Sequence, residues 1–193
     1  MAAHILLSRK VWQKIIVVTT FALPLLLAFA VPAQAVIKID DIDEDNIFVA
    51  TIDLRVLIGN DEENLMLGSV LGDLIDGKGD EDIVYSGEGE DEVNGGSGDD
   101  LVVAGLDEDF VKGERGDDLL AGGQDNDIIV GNEGNDILFG DVGDDTLEGD
   151  EGADAFNCGI GVDTITDFNP GQGDTKSRDC EIFDQNVPQD IVR

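Results

Sequence analysis

Apolar residues recur at a fixed interval of nine positions through the middle of this chain. In a frame that starts at Gly59, the eighth position is apolar in all twelve consecutive copies, and no insertion separates them. The residues beside it vary in polarity, so only the eighth side chain must point inward. The pattern predicts twelve short β-strands over residues 59–166. The eighth positions are Met66, Ile75, Val84, Val93, Val102, Val111, Leu120, Ile129, Leu138, Leu147, Phe156 and Ile165.

The first six positions of each copy are rich in glycine and aspartate. The first position is glycine in nine of the twelve copies, and the sixth is aspartate in eleven, with Asn64 as the exception. Glycine adopts positive φ without steric cost, and aspartate tolerates it better than most residues. Each six-residue segment is therefore predicted to form a tight turn between two strands.

One copy, Gly95-Gly96-Ser97-Gly98-Asp99-Asp100-Leu101-Val102-Val103, fits the nonapeptide GGxGxDxUx at every fixed position. Residues 59–166 thereby resemble the RTX, or haemolysin-type, calcium-binding repeats. The resemblance implies an all-β fold: a parallel β-roll (a right-handed β-solenoid) with two sheets of short strands and Ca²⁺-binding turns on both edges. One coil takes two copies, so the turns of copies i and i+2 stack on the same edge.

Stacked turns would place the sixth-position carboxylates beside backbone carbonyl groups. Such an all-oxygen environment suits Ca²⁺, which takes six to eight oxygen ligands in a flexible shell, better than Mg²⁺. A solvated acidic surface is the alternative, but it would not need aspartate at one fixed position. The candidate side-chain ligands are Asp73, Asp82, Asp91, Asp100, Asp109, Asp118, Asp127, Asp136, Asp145, Asp154 and Asp163. The candidate backbone ligands are the carbonyls of Gly77, Gly95, Gly113, Gly122, Gly131, Gly140 and Gly149.

The first two copies depart most from the repeat. Their fourth position, usually glycine in the family, is Glu62 and Leu71, and Asn64 replaces the aspartate. We expect these copies to form strands without strong metal sites. Asp80, Asp107 and Asp125 are milder departures at the same position. The later turns are expected to hold about six to eight calcium ions.

The charge of the chain argues for cations as partners. It carries 44 acidic and 11 basic side chains, a net charge of −33, which excludes the basic contacts that nucleic acids require. Acids at the third and fifth positions, such as Glu81, Glu90, Asp99 and Asp144, are interpreted mainly as contributions to the negative field and to solubility.

The first 35 residues have the features of a signal peptide. Arg9, Lys10 and Lys14 precede an apolar run over residues 15–31, and Ala33-Gln34-Ala35 fits a cleavage signal. Because the apolar run is long, an uncleaved membrane anchor is the alternative. Cleavage would take the net charge from −33 to −36, since three basic residues leave, and would leave a secreted, extracellular protein without a membrane span.

Two segments flank the repeats. Residues 36–58 are predicted to be an extended or capping segment, in which Leu57 continues the eighth-position register. Residues 167–193 are predicted to form a C-terminal cap and tail, with a turn at Asn169-Pro170-Gly171. Export favours a disulfide between Cys158 and Cys180 over two unpaired thiols.

Alternate copies fall in opposite sheets, called sheet 1 (copies 1, 3, 5 and so on) and sheet 2. The seventh and ninth positions face outward, and eleven of the twelve in sheet 1 are apolar or aromatic, against four of twelve in sheet 2. This face suggests a homodimer or a cell-surface partner, with simple exposure or partial cover by residues 36–58 as alternatives. The candidate partner face is Ile83, Tyr85, Leu101, Val103, Leu119, Ile137 and Phe139.

No catalytic machinery accompanies the repeats. The single histidine, His4, would leave with the signal peptide, which removes the most common general base and histidine-ligated metals. The sequence therefore predicts a secreted, non-catalytic calcium-binding protein in which several Ca²⁺ ions drive folding. The alternatives are a cell-surface adhesion or envelope module that uses the apolar face, and an extracellular calcium buffer.

Overall fold

A computed structural model describes residues 46–50 and 55–182 as an all-β protein. The predicted signal peptide, residues 36–45 and residues 183–193 lie outside the described part. The described residues form sixteen strands, and among them no helix is long and apolar enough to span a membrane. The strands are β1 (Ile47–Val49), β2 (Val56–Ile58), β3 (Leu65–Leu67), β4 (Leu74–Asp76), β5 (Ile83–Glu88), β6 (Glu92–Ser97), β7 (Leu101–Leu106), β8 (Phe110–Arg115), β9 (Leu119–Gln124), β10 (Ile128–Glu133), β11 (Ile137–Val142), β12 (Thr146–Glu151), β13 (Ala155–Ile160), β14 (Thr164–Ile165), β15 (Thr175–Lys176) and β16 (Glu181–Ile182).

Successive strands alternate between two parallel sheets of eight strands each. Sheet 1 has the order β1-β3-β5-β7-β9-β11-β13-β15, and sheet 2 contains the even-numbered strands in the same progression. Each repeat strand pairs with the strand two copies later, so that Ile83 lies opposite Leu101 in the ladder. The chain is therefore a parallel β-solenoid with two copies per coil, and the predicted β-roll is confirmed. It is longer than twelve strands because both flanking segments add to the sheets.

The interior consists of two sets of side chains. The twelve eighth-position residues are all buried, as predicted, and Leu57 extends the row. Ser86, Ala104 and Cys158 are buried as well, so the first position also points inward wherever it carries a side chain. The sequence interpretation missed this second set, because most of its members are glycine. The core is narrow, which limits the apolar surface that folding can bury.

Strands β1 and β2 extend the edges of the sheets. Phe48 pairs in register with Met66 and Leu57 with Ile75, so the eighth-position register continues upstream as predicted. The suggestion that residues 36–58 lie over the outward face of sheet 1 is wrong for these strands, because they pair edge to edge. Residues 36–45 and 51–54, which include Ile52, lie outside the description.

The C-terminal segment leaves the nine-residue frame after Thr166 and then returns to both sheets as β15 and β16. The predicted turn is present, since Gln172 N–H donates to the Asn169 carbonyl. Phe168 packs edge-on against Phe156 of the core. Cys158 and Cys180 form a disulfide with their Cα atoms 5.2 Å apart, which ties this segment to the last complete copy.

The outward side chains of sheet 1 cover one another. Ile83 is buried, and Tyr85, Leu101, Val103, Leu119, Ile137 and Phe139 are half-buried. Side chains at equivalent positions of neighbouring parallel strands stand side by side, which shields their flanks. The exposed large apolar residues within the strands of the described part are instead Val56, Ile58, Leu74 and Ile128 on sheet 2, and Val142 and Ile160 at the strand ends of sheet 1.

We predict that Leu138→Ala lowers the free energy of unfolding by about 2–5 kcal/mol, because Leu138 is fully buried in a core that cannot collapse around the cavity. The matched control is Ile128→Ala, which removes an exposed aliphatic side chain and should change stability by about 0.5 kcal/mol. Urea unfolding in saturating calcium compares the two variants. Equal losses would contradict the assignment of the eighth position to the core.

Candidate metal centre

The sixth-position aspartates form one row on each edge of the roll. Each lies directly before a strand, and all eleven are buried although the protein is strongly acidic. Burial of an isolated carboxylate is costly, so these side chains need partners. The row before sheet 1 is Asp82, Asp100, Asp118, Asp136 and Asp154; the row before sheet 2 is Asp73, Asp91, Asp109, Asp127, Asp145 and Asp163.

One carboxylate oxygen of each aspartate from Asp82 to Asp163 links two coils. The Oδ1 atom of Asp100 accepts a hydrogen bond from the backbone N–H of Asp82, eighteen residues earlier, at 2.8 Å. The same bond recurs ten times along the two rows, at 2.7–3.0 Å. These charge-assisted bonds fix the orientation of the carboxylates.

The other oxygen has no hydrogen-bond donor in ten of these aspartates, from Asp73 to Asp154. It is Oδ2 in nine of them and Oδ1 in Asp73, where Ser69 N–H takes Oδ2 instead. Buried polar atoms without a partner are rare in proteins, and a regular row of them points to a ligand that supplies positive charge. An oxygen-only donor set fits Ca²⁺.

Burial raises the pKa of these carboxyl groups well above the ordinary value. The pKa is raised to about 8 for Asp100, Asp109 and Asp118, mainly by desolvation. It is raised to about 7 for Asp82, Asp127 and Asp136, and to about 6 for Asp91 and Asp145. The bonds to backbone N–H oppose the shift, and nearby carboxylates add to it. The charged rows are thus unfavourable without a compensating cation.

The first-position glycines make room for the carboxylate oxygens. A Cβ added to Gly131 would lie 2.1 Å from Asp136 Oδ2, and one added to Gly77 would lie 2.2 Å from Asp82 Oδ2 and 2.4 Å from the Gly95 carbonyl oxygen. The oxygen without a donor and a first-position carbonyl oxygen of the next coil therefore converge beside one Cα atom. A carboxylate oxygen and a carbonyl oxygen therefore lie side by side, as a mixed carboxylate and carbonyl site would require.

Close approach, not backbone conformation, explains glycine at the first position. None of the nine first-position glycines adopts positive φ. The left-handed conformation occurs instead at the second and fourth positions, as at Gly96 and Gly98. The three fourth-position aspartates adopt it too, with φ of 66° at Asp80, 76° at Asp107 and 74° at Asp125. The sequence interpretation attributed all the turn glycines to positive φ. Positive φ explains glycines such as Gly96 and Gly98 at the second and fourth positions, whereas close approach explains those at the first.

The first turns of the roll are built differently. The Asn64 amide is buried and saturated: it accepts from Asn60 N–H and donates to Asn60 Oδ1 and the Glu62 carbonyl. Glu62 and Leu71 do not adopt the positive φ of the later turns. The edge before sheet 1 therefore begins with a neutral amide that needs no cation.

Sequence reasoning missed Asp174, which continues the row before sheet 1. It is buried, it directly precedes β15, and its Oδ1 accepts a hydrogen bond from Asp154 N–H at 3.2 Å. Asp174 follows Asp154 by 20 residues, two more than the regular spacing of 18, and therefore lies outside the nine-residue frame. A search for aspartate before a short strand, allowing an insertion, would have found it. On the other edge Cys180 lies at the corresponding place, directly before β16.

No three His, Cys, Asp or Glu side chains of residues 46–50 and 55–182 cluster as a metal-binding group. Any cation at the turns would thus rely on backbone carbonyls in addition to the carboxylates, which agrees with the convergence at Gly77 and Gly95. Hard cations such as Ca²⁺ accept both kinds of oxygen.

Comparison with sequence families gives a match to the RTX calcium-binding nonapeptide repeat. The family's sequence model matches in four copies, at residues 67–102, 94–129, 103–138 and 130–165. Together these span residues 67–165, more than half of the 193-residue chain. No curated protein and no solved structure matches the chain.

We predict that Gly131→Ala destabilises the calcium-saturated protein by about 1–3 kcal/mol, because the new Cβ would overlap Asp136 Oδ2. Gly79→Ala is the matched control, since a Cβ there has no neighbour closer than 3.8 Å and no positive φ opposes it. Denaturant unfolding of both variants measures the difference. Similar stabilities would show that the first position has no steric role.

The raised pKa values predict that acid favours the folded chain when calcium is removed. The carboxyl groups have a pKa of about 3.9 when unfolded and about 6–8 when folded, so folding takes up protons. Proton uptake by these carboxyl groups adds to the free energy of unfolding. This contribution is fully present below the pKa of the unfolded chain and is lost as the pH rises through the pKa values of the folded chain. Far-UV circular dichroism in chelator should therefore show more β-structure at about pH 5 than at about pH 9.

Saturating calcium serves as the control for this pH experiment, because bound cations would stabilise the ionised carboxylates and flatten the profile. A chelated chain whose β-structure decreases on acidification would contradict the prediction.

Proposed function

Since this chain belongs to the family of RTX calcium-binding nonapeptide-repeat proteins, we propose that it is a secreted, non-catalytic protein whose β-roll folds around several Ca²⁺ ions. The observation that carries the proposal is the row of buried carboxylate oxygens without donors, repeated from Asp73 to Asp154. Calcium would supply the positive charge that these oxygens lack.

The proposed ligands combine side chains and backbone. The carboxylates of the eleven sixth-position aspartates, from Asp73 to Asp163, would hold the ions together with turn carbonyls. The first-position glycines from Gly77 to Gly149 are the proposed carbonyl donors, supported by the convergence of the Gly95 carbonyl with Asp82. The saturated Asn64 amide supports weak or absent binding in the first turn.

Folding is proposed to depend on the ions for two reasons. The core is narrow, and a net charge of −33 opposes compaction. An ion that binds only the folded chain stabilises it by about 2.7 kcal/mol when its concentration is about a hundredfold above Kd. Several such sites would outweigh the few kilocalories by which small domains are usually stable.

Secretion is supported by the disulfide and by the sequence of residues 1–35. Disulfides persist mainly in oxidising compartments outside the cytosol, where calcium is also abundant. The absence of catalytic activity is supported by composition: without residues 1–35 the chain has no histidine, and the repeat accounts for the buried aspartates. Domain boundaries at residues 35, 58 and 166 are part of this proposal.

A surface-binding role receives less support. The outward apolar side chains of sheet 1 are half-buried because they shield one another, and their composition does not indicate a particular partner. A calcium buffer would need many independent weak sites, whereas the inter-coil hydrogen bonds join successive turns. Cooperative binding therefore favours the structural role of calcium.

We predict that the chain lacking residues 1–35 is largely unfolded in chelator and gains β-structure cooperatively as Ca²⁺ rises to about the millimolar range of extracellular modules. Mg²⁺ at the same concentration should not replace it. Asp136→Asn should shift the calcium midpoint upward, and the control Glu133→Gln, at an exposed position of the same copy, should not. Far-UV circular dichroism follows all four titrations. Complete β-structure in chelator at neutral pH would refute calcium-dependent folding.

A further inference from the structure

A second row of side-chain hydrogen bonds joins the turns at the fifth position. The backbone N–H of Asn135 donates to Asp117 Oδ1 at 2.8 Å, and the N–H of Ala153 donates to Asn135 Oδ1 at 3.1 Å. The bond recurs on both edges, always to the residue eighteen positions earlier. The acceptors are Asp99, Asp117 and Asn135 before sheet 1, and Asn126 and Asp144 before sheet 2.

These bonds run in the opposite direction to those of the sixth position. Asn135 N–H donates back to Asp117 of the preceding coil, while Asp136 N–H, the next amide along the chain, donates forward to Asp154. Two consecutive amides thus tie one turn to both neighbours. Because Asn135 directly precedes Asp136, the backward bond fixes the peptide from which the buried carboxylate projects.

The backward bond is confined to the later part of the roll. Among the described residues, Glu81, Glu90 and Glu108 occupy the fifth position in earlier turns and accept no such bond, and Gly72 offers no side chain. The turns before Asp118, Asp136, Asp145 and Asp154 are consequently tied in both directions. The turn before Asp163 has the backward bond as well, from Val162 N–H to Asp144. The turns before Asp100, Asp109 and Asp127 have the forward bond alone.

The fifth-position residues that accept the backward bond differ from those that do not in side-chain length and not in charge. Asn126 and Asn135 accept the bond as Asp99 and Asp117 do, at similar distances. Glutamate is one methylene longer, which displaces its oxygens from the position that the shorter side chains share. A role in the general negative field, the sequence interpretation for Asp99 and Asp144, does not account for this geometry.

We propose that Asp99, Asp117, Asn126, Asn135 and Asp144 are positioning residues, each of which holds the turn eighteen residues later in the cation-binding conformation. The turns that receive the backward bond, those before Asp118, Asp136, Asp145, Asp154 and Asp163, are then preorganised, since less conformational entropy remains to be lost when an ion binds. They bind calcium at lower concentrations than the turns that lack the backward bond, which are those of Asp82 to Asp109 and of Asp127. This inference rests on the proposed function and adds an order of affinities along the roll.

The test compares Asp117→Asn, Asp117→Glu and Asp117→Ala in the chain lacking residues 1–35. Asp117→Asn keeps the acceptor and should leave the calcium midpoint unchanged. Asp117→Glu and Asp117→Ala lose the bond and should raise the midpoint about fivefold, the effect of one typical hydrogen bond. Glu108→Ala is the matched control, because this fifth-position side chain accepts no such bond. Isothermal calorimetry and circular dichroism give the midpoints.

A gain-of-function variant distinguishes an effect of the hydrogen bond from misfolding of the substituted chain. Glu90→Asn introduces the short amide that the later turns use, opposite the N–H of Glu108, and should lower the midpoint of the turn before Asp109. Amide hydrogen exchange measured by NMR in calcium reads the bonds directly: the N–H of Asn135 should lose protection in Asp117→Ala, and the N–H of Glu108 should gain it in Glu90→Asn.

Three outcomes decide the matter. A midpoint raised equally in Asp117→Asn and Asp117→Ala would show that charge, not the bond, is responsible. Unchanged midpoints in Asp117→Ala and Glu90→Asn would overturn the positioning role. A parent chain that does not bind calcium would refute the proposed function itself. This result is distinguishable from the two preceding outcomes, in which the parent chain binds calcium.

Discussion

Each of ten buried aspartates has one oxygen that meets no donor, and the rest of the structure is arranged around these oxygens. In nine of them the other oxygen is held by the preceding coil, and at Asp82, Asp100 and Asp118 a first-position glycine carbonyl lies beside the oxygen without a donor. The apolar interior could be achieved with many turn sequences. Few turn sequences, by contrast, could place a carboxylate beside a backbone carbonyl in successive coils. This requirement explains why glycine and aspartate keep fixed positions.

The same requirement shapes the energetics. Most soluble domains of this length bury a broad apolar core, whereas this roll buries one large apolar residue per repeat strand and a second inward row that is mostly glycine. Desolvated carboxylates on both edges then oppose folding, as the raised pKa values of Asp118 before sheet 1 and Asp109 before sheet 2 indicate. The balance between folded and unfolded chain is therefore open to control by cations and protons from the medium.

The six-residue length of strands β5 to β13 was not predicted, because the sequence analysis assigned the first six positions of every copy to a turn. The nine-residue periodicity was sufficient to predict where the repeat strands begin, the inward row that includes Leu138, the aspartate before each strand and the exception at Asn64. Those features are local, because each is determined within one copy. Other features depend on contacts between residues eighteen positions apart and were not predictable in the same way. The fifth-position bond between Asn135 and Asp117 is one example, and the shielding among outward residues of sheet 1 is another. Asp174 was missed for a different reason, since a two-residue insertion breaks the frame before it.

The uniform spacing of eighteen residues between bonded aspartates has a consequence for how such a chain can change in length. Loss or gain of a single residue within the roll would move every later side chain to the wrong face of its strand and break both rows at that point. Removal or duplication of a whole coil would leave all remaining pairs in register. A gene of this kind can therefore grow or shrink in units of one coil, and irregular segments such as the one before Asp174 are tolerated at the ends.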